Sequence, residues 1–337
     1  MSLISRKKPT VQILMATYNG EKNLREQLDS IINQTYDNWI LMIRDDGSTD
    51  GTIELLEEYC KKDKRIIYEM NDSNEHGWQI NFQKLMQKAI DSPAEQFMFC
   101  DQDDIWEKNK IERFFCEITN LEEINPQKPI VVYGNMMIIN GNNEIINPDF
   151  NQIYNMEVKS ITDVFYTQRV YGCNMIFNKV LLEYVYKVLD GKVYSNLSHD
   201  GLVVKVAAAK DGIIKFMKET FMRYRRDGNN ATANQEFSVT RRRVINRLKN
   251  FDQLASDQSS TYRQSIHVID LIEKNNEMLI NEGRKLKEIE KSIKKGGIYA
   301  GYIWLKYRVN CGNKQRTISH FLVLLSGKHK KYLGEFK

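Results

Sequence analysis

Three short, largely apolar runs, at residues 11–16, 39–43 and 97–100, and a β-rich stretch at 65–69 are separated by stretches of helical spacing, and each stops at polar residues. Runs of this length bounded by polar residues read as buried strands. Strands that alternate with helices predict an α/β chain wound on a mainly parallel sheet. The first intervening helix, 21–32, sets Leu24, Leu28, Ile31 and Ile32 on one face; helices at 53–60 and 80–90 follow, the former with Thr49 and Asp50 as caps. In an open sheet of this kind, ligands bind beyond the carboxyl ends of the strands. The residues expected there are Thr17-Tyr18-Asn19-Gly20-Glu21, Asp45-Asp46-Gly47-Ser48-Thr49-Asp50 and Asp101-Gln102-Asp103-Asp104.

The last of these clusters is the densest in charge. Asp101 and Asp103, two residues apart, share a side if the extended backbone continues past Cys100. Carboxylates crowded on one rim repel one another unless a cation sits among them, and hard divalent ions such as Mg²⁺ or Mn²⁺ take oxygen ligands. The same residues also suit an acidic loop, or a helix start capped by Asp before Trp106-Glu107-Lys108.

After Trp106 the pattern loosens. Residues 130–139 read as one or two strands followed by the hairpin turn Asn140-Gly141-Asn142-Asn143, and 172–177 as a strand with a polar entry. A helix at 179–189, the segment Ser198-His199-Asp200-Gly201 before a helix at 202–210, a strand at 213–221 and a Gly/Asn-rich loop from Tyr224 complete this part. From 241 to about 295 the chain reads as amphipathic helix, and no internal repeat is visible.

Charge divides the chain in two. Residues 1–237 carry 28 Lys and Arg against 35 Asp and Glu, whereas residues 238–337 carry 21 against 9. Residues 291–337 hold 11 cations and one acid, Glu335, interleaved with Tyr299, Tyr302, Trp304 and Phe321. Basic amphipathic helices with Trp and Tyr suit an anionic membrane surface; the plainer alternatives are a bundle packed on the first part, or a homodimer contact. Arg241-Arg242-Arg243 raises nucleic acid as a partner, but no recognised binding motif accompanies it and that class is set aside. The five cysteines are scattered, odd in number and without metal-ligand spacing, as expected of thiols in a reducing cytosol. No signal peptide or run of about 20 apolar residues is visible.

Taken together, 13–20, Asp45-Asp46-Gly47-Ser48-Thr49-Asp50-Gly51-Thr52, Asp101-Gln102-Asp103-Asp104 and an Asp about a hundred residues on resemble the inverting family-two glycosyltransferases. The order and spacing cover residues 10–235. The form Asp-Gln-Asp-Asp-Ile-Trp, Gly172-Cys173-Asn174-Met175-Ile176-Phe177, His199-Asp200 and Tyr224-Arg225-Arg226-Asp227-Gly228-Asn229-Asn230 resemble bacterial rhamnosyltransferases of surface-polysaccharide assembly. The resemblance implies a nucleotide-binding fold of the glycosyltransferase A type over 1–237, with a nucleotide half at 10–125 and an acceptor half at 126–237, followed by the helical region 238–337. It implies a donor such as dTDP-L-rhamnose, a lipid-linked glycan acceptor, and a cytoplasmic enzyme at the inner face of the cell membrane. A UDP-hexose donor is the near alternative, and a non-catalytic sugar-nucleotide-binding module the distant one. A nucleotidyltransferase is disfavoured because no Gly-rich phosphate loop follows the first strand.

The implied roles follow the chemistry of a gripped sugar nucleotide. Asp45 or Asp46 accepts the imide N–H of the base, since only an acceptor suits a donor there. Thr17, Tyr18, Asn19 and Glu21 wall the base and ribose, with Gln102 beside them. Yet Asp46-Gly47-Ser48 is equally an ordinary turn and Glu21 a first-turn helix charge. Asp101 contacts ribose or metal, and Asp103 is expected as the firmest metal ligand. Asp227 stands where the rhamnosyl group is expected to have His, so a third ligand there is in question. Asp200 is the expected catalytic base, with His199 orienting it or the acceptor. Trp106, Gly172, Cys173 and Asn174 are expected to wall the acceptor site; Cys173 is not a nucleophile, because inversion needs no covalent intermediate.

Overall fold

A computed structural model describes residues 9–226, 250–275 and 280–334. The first part follows the expected alternation: β1 (Val11–Thr17), α1 (Glu21–Ile32), β2 (Trp39–Asp45), α2 (Thr52–Lys62), β3 (Ile66–Met70), α3 (Trp78–Ala89) and β4 (Gln96–Cys100). β1 runs parallel to β2 and β4, and β2 parallel to β3. All five residues of β4 and six of seven in β1 are buried, which is why these strands are largely apolar rather than apolar at alternate positions.

Then come β5 (Ile105–Trp106), α4 (Lys110–Ile124), β6 (Ile130–Ile139), β7 (Ile145–Asn147), α5 (Phe150–Tyr154), α6 (Ile161–Tyr166), β8 (Met175–Asn178), α7 (Lys179–Leu189), α8 (His199–Ala209) and β9 (Ile213–Arg225). The nine strands form one sheet in the order β3-β2-β1-β4-β8-β6-β9-β5, with β7 on β6. β8 lies antiparallel to both β4 and β6, while β9 is parallel to β6 and antiparallel to β5. The β6–β7 hairpin turns at Asn140–Asn143 as expected, with Asn143 at φ 65°.

Three local expectations are corrected. β9 continues through Tyr224 and Arg225, because these pair with Ile138 and Ile139 of β6 while Met222 and Arg223 pair with the two-residue β5, a strand too short to read in sequence. Gly172–Asn174 is a 3₁₀ turn, not the start of a strand. α8 begins at His199 rather than 202: the Ser198 hydroxyl caps it by accepting from the Gly201 N–H at 3.3 Å, which puts Asp200 in the first turn.

The remaining helices are α9 (Phe251–Lys274), α10 (Ile280–Lys295), α11 (Gly297–Lys306) and α12 (Lys314–Ser326), closed by a 3₁₀ turn at Lys328–Tyr332. They pack onto the sheet-bearing part. Ser265 Oγ donates to the Phe165 carbonyl at 2.7 Å, the Tyr166 hydroxyl meets Ser292 Oγ, and the Arg169 guanidinium holds the Asn310 carbonyl. The apolar core is one cluster running from Val11 to Leu324. The boundary expected at 237/238, Arg241-Arg242-Arg243 and Asp227 lie outside the described residues. Among the described residues no helix is long and apolar enough to cross a membrane. All five cysteines are free thiols.

Candidate active site

The loops after β1, β2 and β4 meet at one edge of the sheet, stitched by the polar residues singled out in the sequence. Gln102 bridges to β1 twice: its Oε1 accepts from the Tyr18 N–H at 2.8 Å and its Nε2 donates to the Tyr18 carbonyl at 3.0 Å. Asn19, at φ 47°, accepts from the Thr49 N–H at 2.8 Å and donates its own N–H to Ser48 Oγ at 2.9 Å. A Glu21 carboxylate oxygen accepts from the Gly51 N–H at 3.0 Å. Tyr18 is left 54% exposed on this rim.

Asp45 and Asp46, alike in sequence, differ in structure. Asp45 is fully buried, and its two oxygens accept from Thr17 Oγ1 (2.7 Å), Gly47 N (3.0 Å), Ser48 N (2.7 Å) and Ser48 Oγ (2.7 Å). A carboxylate has about four lone-pair sites, so its accepting capacity is filled by its own loop. Thr17 is spent on the same contact. Asp46 Oδ2 accepts from the Gly77 N–H at 2.7 Å, while its Oδ1 faces Asn71 Nδ2 at 2.7 Å and His76 Nδ1 at 3.2 Å. One acceptor position on Asp46 stays open.

Past β4 the chain brings Asp101, Asp104 and the Cys173 thiol together, with one ligand atom of each within 4.8 Å of the others. Desolvation, then the neighbouring charges of Asp103 and Asp200, push the Asp101 carboxyl up to about 7. Asp104 is fully buried and its carboxyl is likewise raised, by desolvation first. Its Oδ1 accepts from the Arg225 N–H at 2.9 Å, and its Oδ2 has no partner. Arg225 also holds the Asp103 carbonyl, through Nε at 2.7 Å. The cluster therefore fits a hard divalent cation: it has excess negative charge and an orphaned carboxylate oxygen in low dielectric. The Cys173 thiol is raised well above its ordinary value by burial, so the hard donors are the carboxylates. Among the described residues it is Asp104 that groups with Asp101 and Cys173 here, with Asp103 between the two in sequence.

Asp200 lies across from the cluster. Its Oδ2 accepts from Gln168 Nε2 at 2.6 Å and from the Gly172 N–H at 3.3 Å, and its Oδ1 accepts from the Gly201 N–H at 2.6 Å. A carboxylate in the first turn of α8 also gains from the helix dipole. His199 does not orient it. The imidazole is buried, stacked on Phe82 with ring centroids 3.8 Å apart and edge-on to Phe99 at 4.5 Å, and neither ring nitrogen has a partner. Burial lowers its pKa to about 4, so it is neutral at neutral pH.

The residues expected to wall an acceptor site are mostly interior. Trp106 is 3% exposed beneath the Lys110 ammonium, and Asn174 Nδ2 donates to the carbonyls of Gly134 and Asn135 at 2.8 and 3.0 Å. Gly172 contributes a backbone N–H to Asp200 and a bare Cα against His199. They pack into the floor of the site, where Trp106 Nε1 and Asn174 Oδ1 have no hydrogen-bond partner.

Three residues that the structure places at the candidate site escaped sequence reasoning. Asp104 was visible as the third carboxylate of its motif, but nothing marked it as the buried one. Lys110 looks like a solvated first-turn lysine, and Arg225 like part of a loop; their burial is decided by the 172–174 turn and by β9, which are distant in sequence.

A mainly parallel sheet whose strand ends carry a polar rim and a carboxylate cluster puts the candidate site where open α/β sheets bind their ligands. The model of glycosyl transferase family 2 matches residues 12–185, just over half of the chain, and the chain belongs to that family. It is 28% identical over 236 residues to the dTDP-rhamnosyl transferase RfbG of Shigella flexneri, covering 68% of this chain and 78% of that one. It is 32% identical over 133 residues to the Escherichia coli UDP-Glc:alpha-D-GlcNAc-diphosphoundecaprenol beta-1,3-glucosyltransferase WfgD, covering 39% and 47% of the two chains. The solved structure of S. aureus TarS 1–349 in complex with UDP shares the fold at a TM-score of 0.50 and 14% identity, over 96% of this chain and 89% of that one. Matches to curated relatives span from 20% to 78% of their lengths, and less than half for most.

Proposed function

We propose that this chain transfers a sugar from a nucleotide donor to an acceptor hydroxyl with inversion, by one direct displacement. The observation that carries the reading is the pairing of Asp200 with the Asp101–Asp104 cluster: Asp200 is close enough to raise the Asp101 carboxyl electrostatically, yet is held separately by Gln168 and Gly172. One carboxylate group serves the leaving diphosphate and another the incoming hydroxyl.

In this reading Asp46, with its open acceptor position, takes the base N–H, and Tyr18 packs on the exposed side of the base. Asp45, Thr17, Asn19, Glu21 and Gln102 hold the three loops in register. Asp101 and Asp104, assisted by Asp103, would hold Mg²⁺ or Mn²⁺, which when bound neutralises the charge developing on the departing diphosphate. Asp200 takes the acceptor proton, and its three N–H donors fix the carboxylate orientation before the acceptor arrives.

The donor we propose is dTDP-L-rhamnose, supported by the similarity to RfbG over two thirds of this chain. A UDP-hexose is the second reading, favoured by the resemblance to WfgD over a shorter stretch. That relative's substrate supports a lipid-linked glycan as acceptor, which would place the protein at the inner face of the cell membrane. The test is donor binding and slow hydrolysis with dTDP-L-rhamnose, UDP-glucose and UDP-galactose, with and without Mn²⁺. Metal-dependent binding of the rhamnosyl donor alone, lost in Asp101→Asn, is the expected result. Asp200→Asn should still bind donor while transfer falls by about a hundredfold or more. Preference for a UDP-sugar would replace the donor, and binding of none would remove the transferase reading.

A further inference from the structure

Helix α11 is apolar on both sides. Its inner face, Ala300, Ile303 and Trp304, is buried, whereas Ile298, Tyr302 and Leu305 are 88%, 59% and 70% exposed. Spacings of four and three residues set those three side chains in one stripe, opposite the buried face. The stripe continues onto α12. Leu325 Cδ1 lies 3.2 Å from the point a side chain on Gly301 would occupy, so the two helices touch where the glycine leaves room. Ile318, seven residues before Leu325 on the same side of α12, is 48% exposed, and Leu325 itself 39%. A helix that is apolar all round but covered on one side only leaves a face awaiting a partner.

Charge decides which partner. Residues 291–334 carry 10 Lys and Arg and no Asp or Glu. The acids that reach them lie outside this stretch: Glu288 pairs with Lys306, Glu290 (one turn earlier on the same helix) and Asp270 with Lys294, and Asp252 with Lys328 and Lys331. Among the described residues no ion pair engages Lys291, Lys295, Arg308, Lys314 or Lys330, several of which border the apolar stripe in sequence. A second copy docked by two-fold symmetry sets like surface against like, and would oppose these cations to themselves. An anionic bilayer meets both features. The stripe enters the acyl boundary, Tyr302 sits at the headgroup level and the cations face lipid phosphates.

We infer that the α11–α12 face, centred on Ile298, Tyr302 and Leu305, docks on an anionic membrane surface. The inference narrows a charge-based expectation for the whole of 291–337 to one stripe, and rests on the reading of a lipid-linked acceptor for its purpose.

The test is flotation of the full chain with phosphatidylcholine vesicles, alone or containing phosphatidylglycerol. Wild-type protein should float with the anionic vesicles, less so as salt rises, and stay behind with the neutral ones. Ile298→Asp with Leu305→Asp should lower the partition by about tenfold or more, since burying one large side chain is worth about 1.5–3 kcal/mol. Lys295→Glu with Lys314→Glu should weaken binding to the anionic vesicles only. Both variants alter exposed side chains, so thermal melting and donor binding should match wild type. Equal flotation of wild type and the Asp variant would overturn the inference, as would no flotation at all. A wild-type dimer in sedimentation equilibrium, dispersed by the Asp variant, would reassign the stripe to a second copy. Loss of donor binding in every protein would count against the transferase reading while the flotation result stood.

Discussion

The ammonium of Lys110 donates a 2.6 Å hydrogen bond to the main-chain carbonyl of Cys173 and lies 3.9 Å over the ring of Trp106. It is fully buried; burial lowers its pKa to about 8, against the opposing pull of the Cys173, Cys100, Asp104 and Asp101 groups. Lys110 thus ties the start of α4 to the turn that supplies an N–H to Asp200, and places a fixed positive charge beside the carboxylate cluster. Lys110→Met keeps the stem and removes the charge. It should destabilise the fold by about 3 kcal/mol, because the Cys173 carbonyl loses its buried donor and the carboxylate cluster loses a buried positive charge beside it. Urea midpoints measure this, and a change below about 1 kcal/mol would show the lysine to be dispensable to the cluster.

Asp45 and Asp46 should separate when each is changed to Asn. At Asp45 the amide replaces one of two oxygens that together accept from four donors, so Asp45→Asn should cost about 1–3 kcal/mol of stability. Asp46→Asn should leave melting closer to wild type but weaken nucleotide binding by about tenfold, the value of one charge-assisted hydrogen bond. Paired thermal melts and nucleotide titrations read both effects. Stronger binding loss at Asp45 than at Asp46 would invert the assignment.

The alternation of strands and helices up to Cys100 was legible because β1 and β4 are buried along almost their whole length and so are largely apolar, while β3, with one buried residue, was read from its β-rich composition. The strand-end polar residues were also legible as a group, since the fold sends every β-to-α loop to one edge. What each residue does there was not. Asp45 and Asp46 differ only in which donors the folded loops bring to them, and His199 only in the aromatic rings of α3 and β4 around it. Likewise β5 has two residues and exists through pairing with β9 more than a hundred positions away. The C-terminal region read correctly as helical, but α11 is apolar all round, and its pattern does not say which face meets the core.

Gly172 is required by packing rather than by backbone conformation. A Cβ there would stand 2.2 Å from His199 Nε2, and the imidazole is wedged against Phe82 and Phe99. Gly172→Ala should therefore cost about 1–3 kcal/mol as overpacking. In a His199→Ala background the same change should cost much less, a coupling read by a double-mutant cycle. Additive effects would show that the 172–174 turn yields on its own.

His199 also makes a prediction about acid. In the unfolded chain the imidazole takes its proton near 6.5, whereas burial holds it back to about 4 in the fold. Between those values the unfolded state binds the extra proton, so stability falls as pH falls through this window and the loss is complete below about 4. The gap is worth about 3 kcal/mol. Neither ring nitrogen has a hydrogen-bond partner, so His199→Leu removes the titration without breaking a bond. Unfolding free energies from pH 7 to 4.5 should decline more steeply in wild type than in the variant. The other buried histidines, His320 and His329, are displaced in the same direction in both proteins and cancel in the comparison. Parallel declines would mean that the imidazole reaches water or a partner in solution, and the aromatic cage around Gly172 would then be looser than its packing indicates.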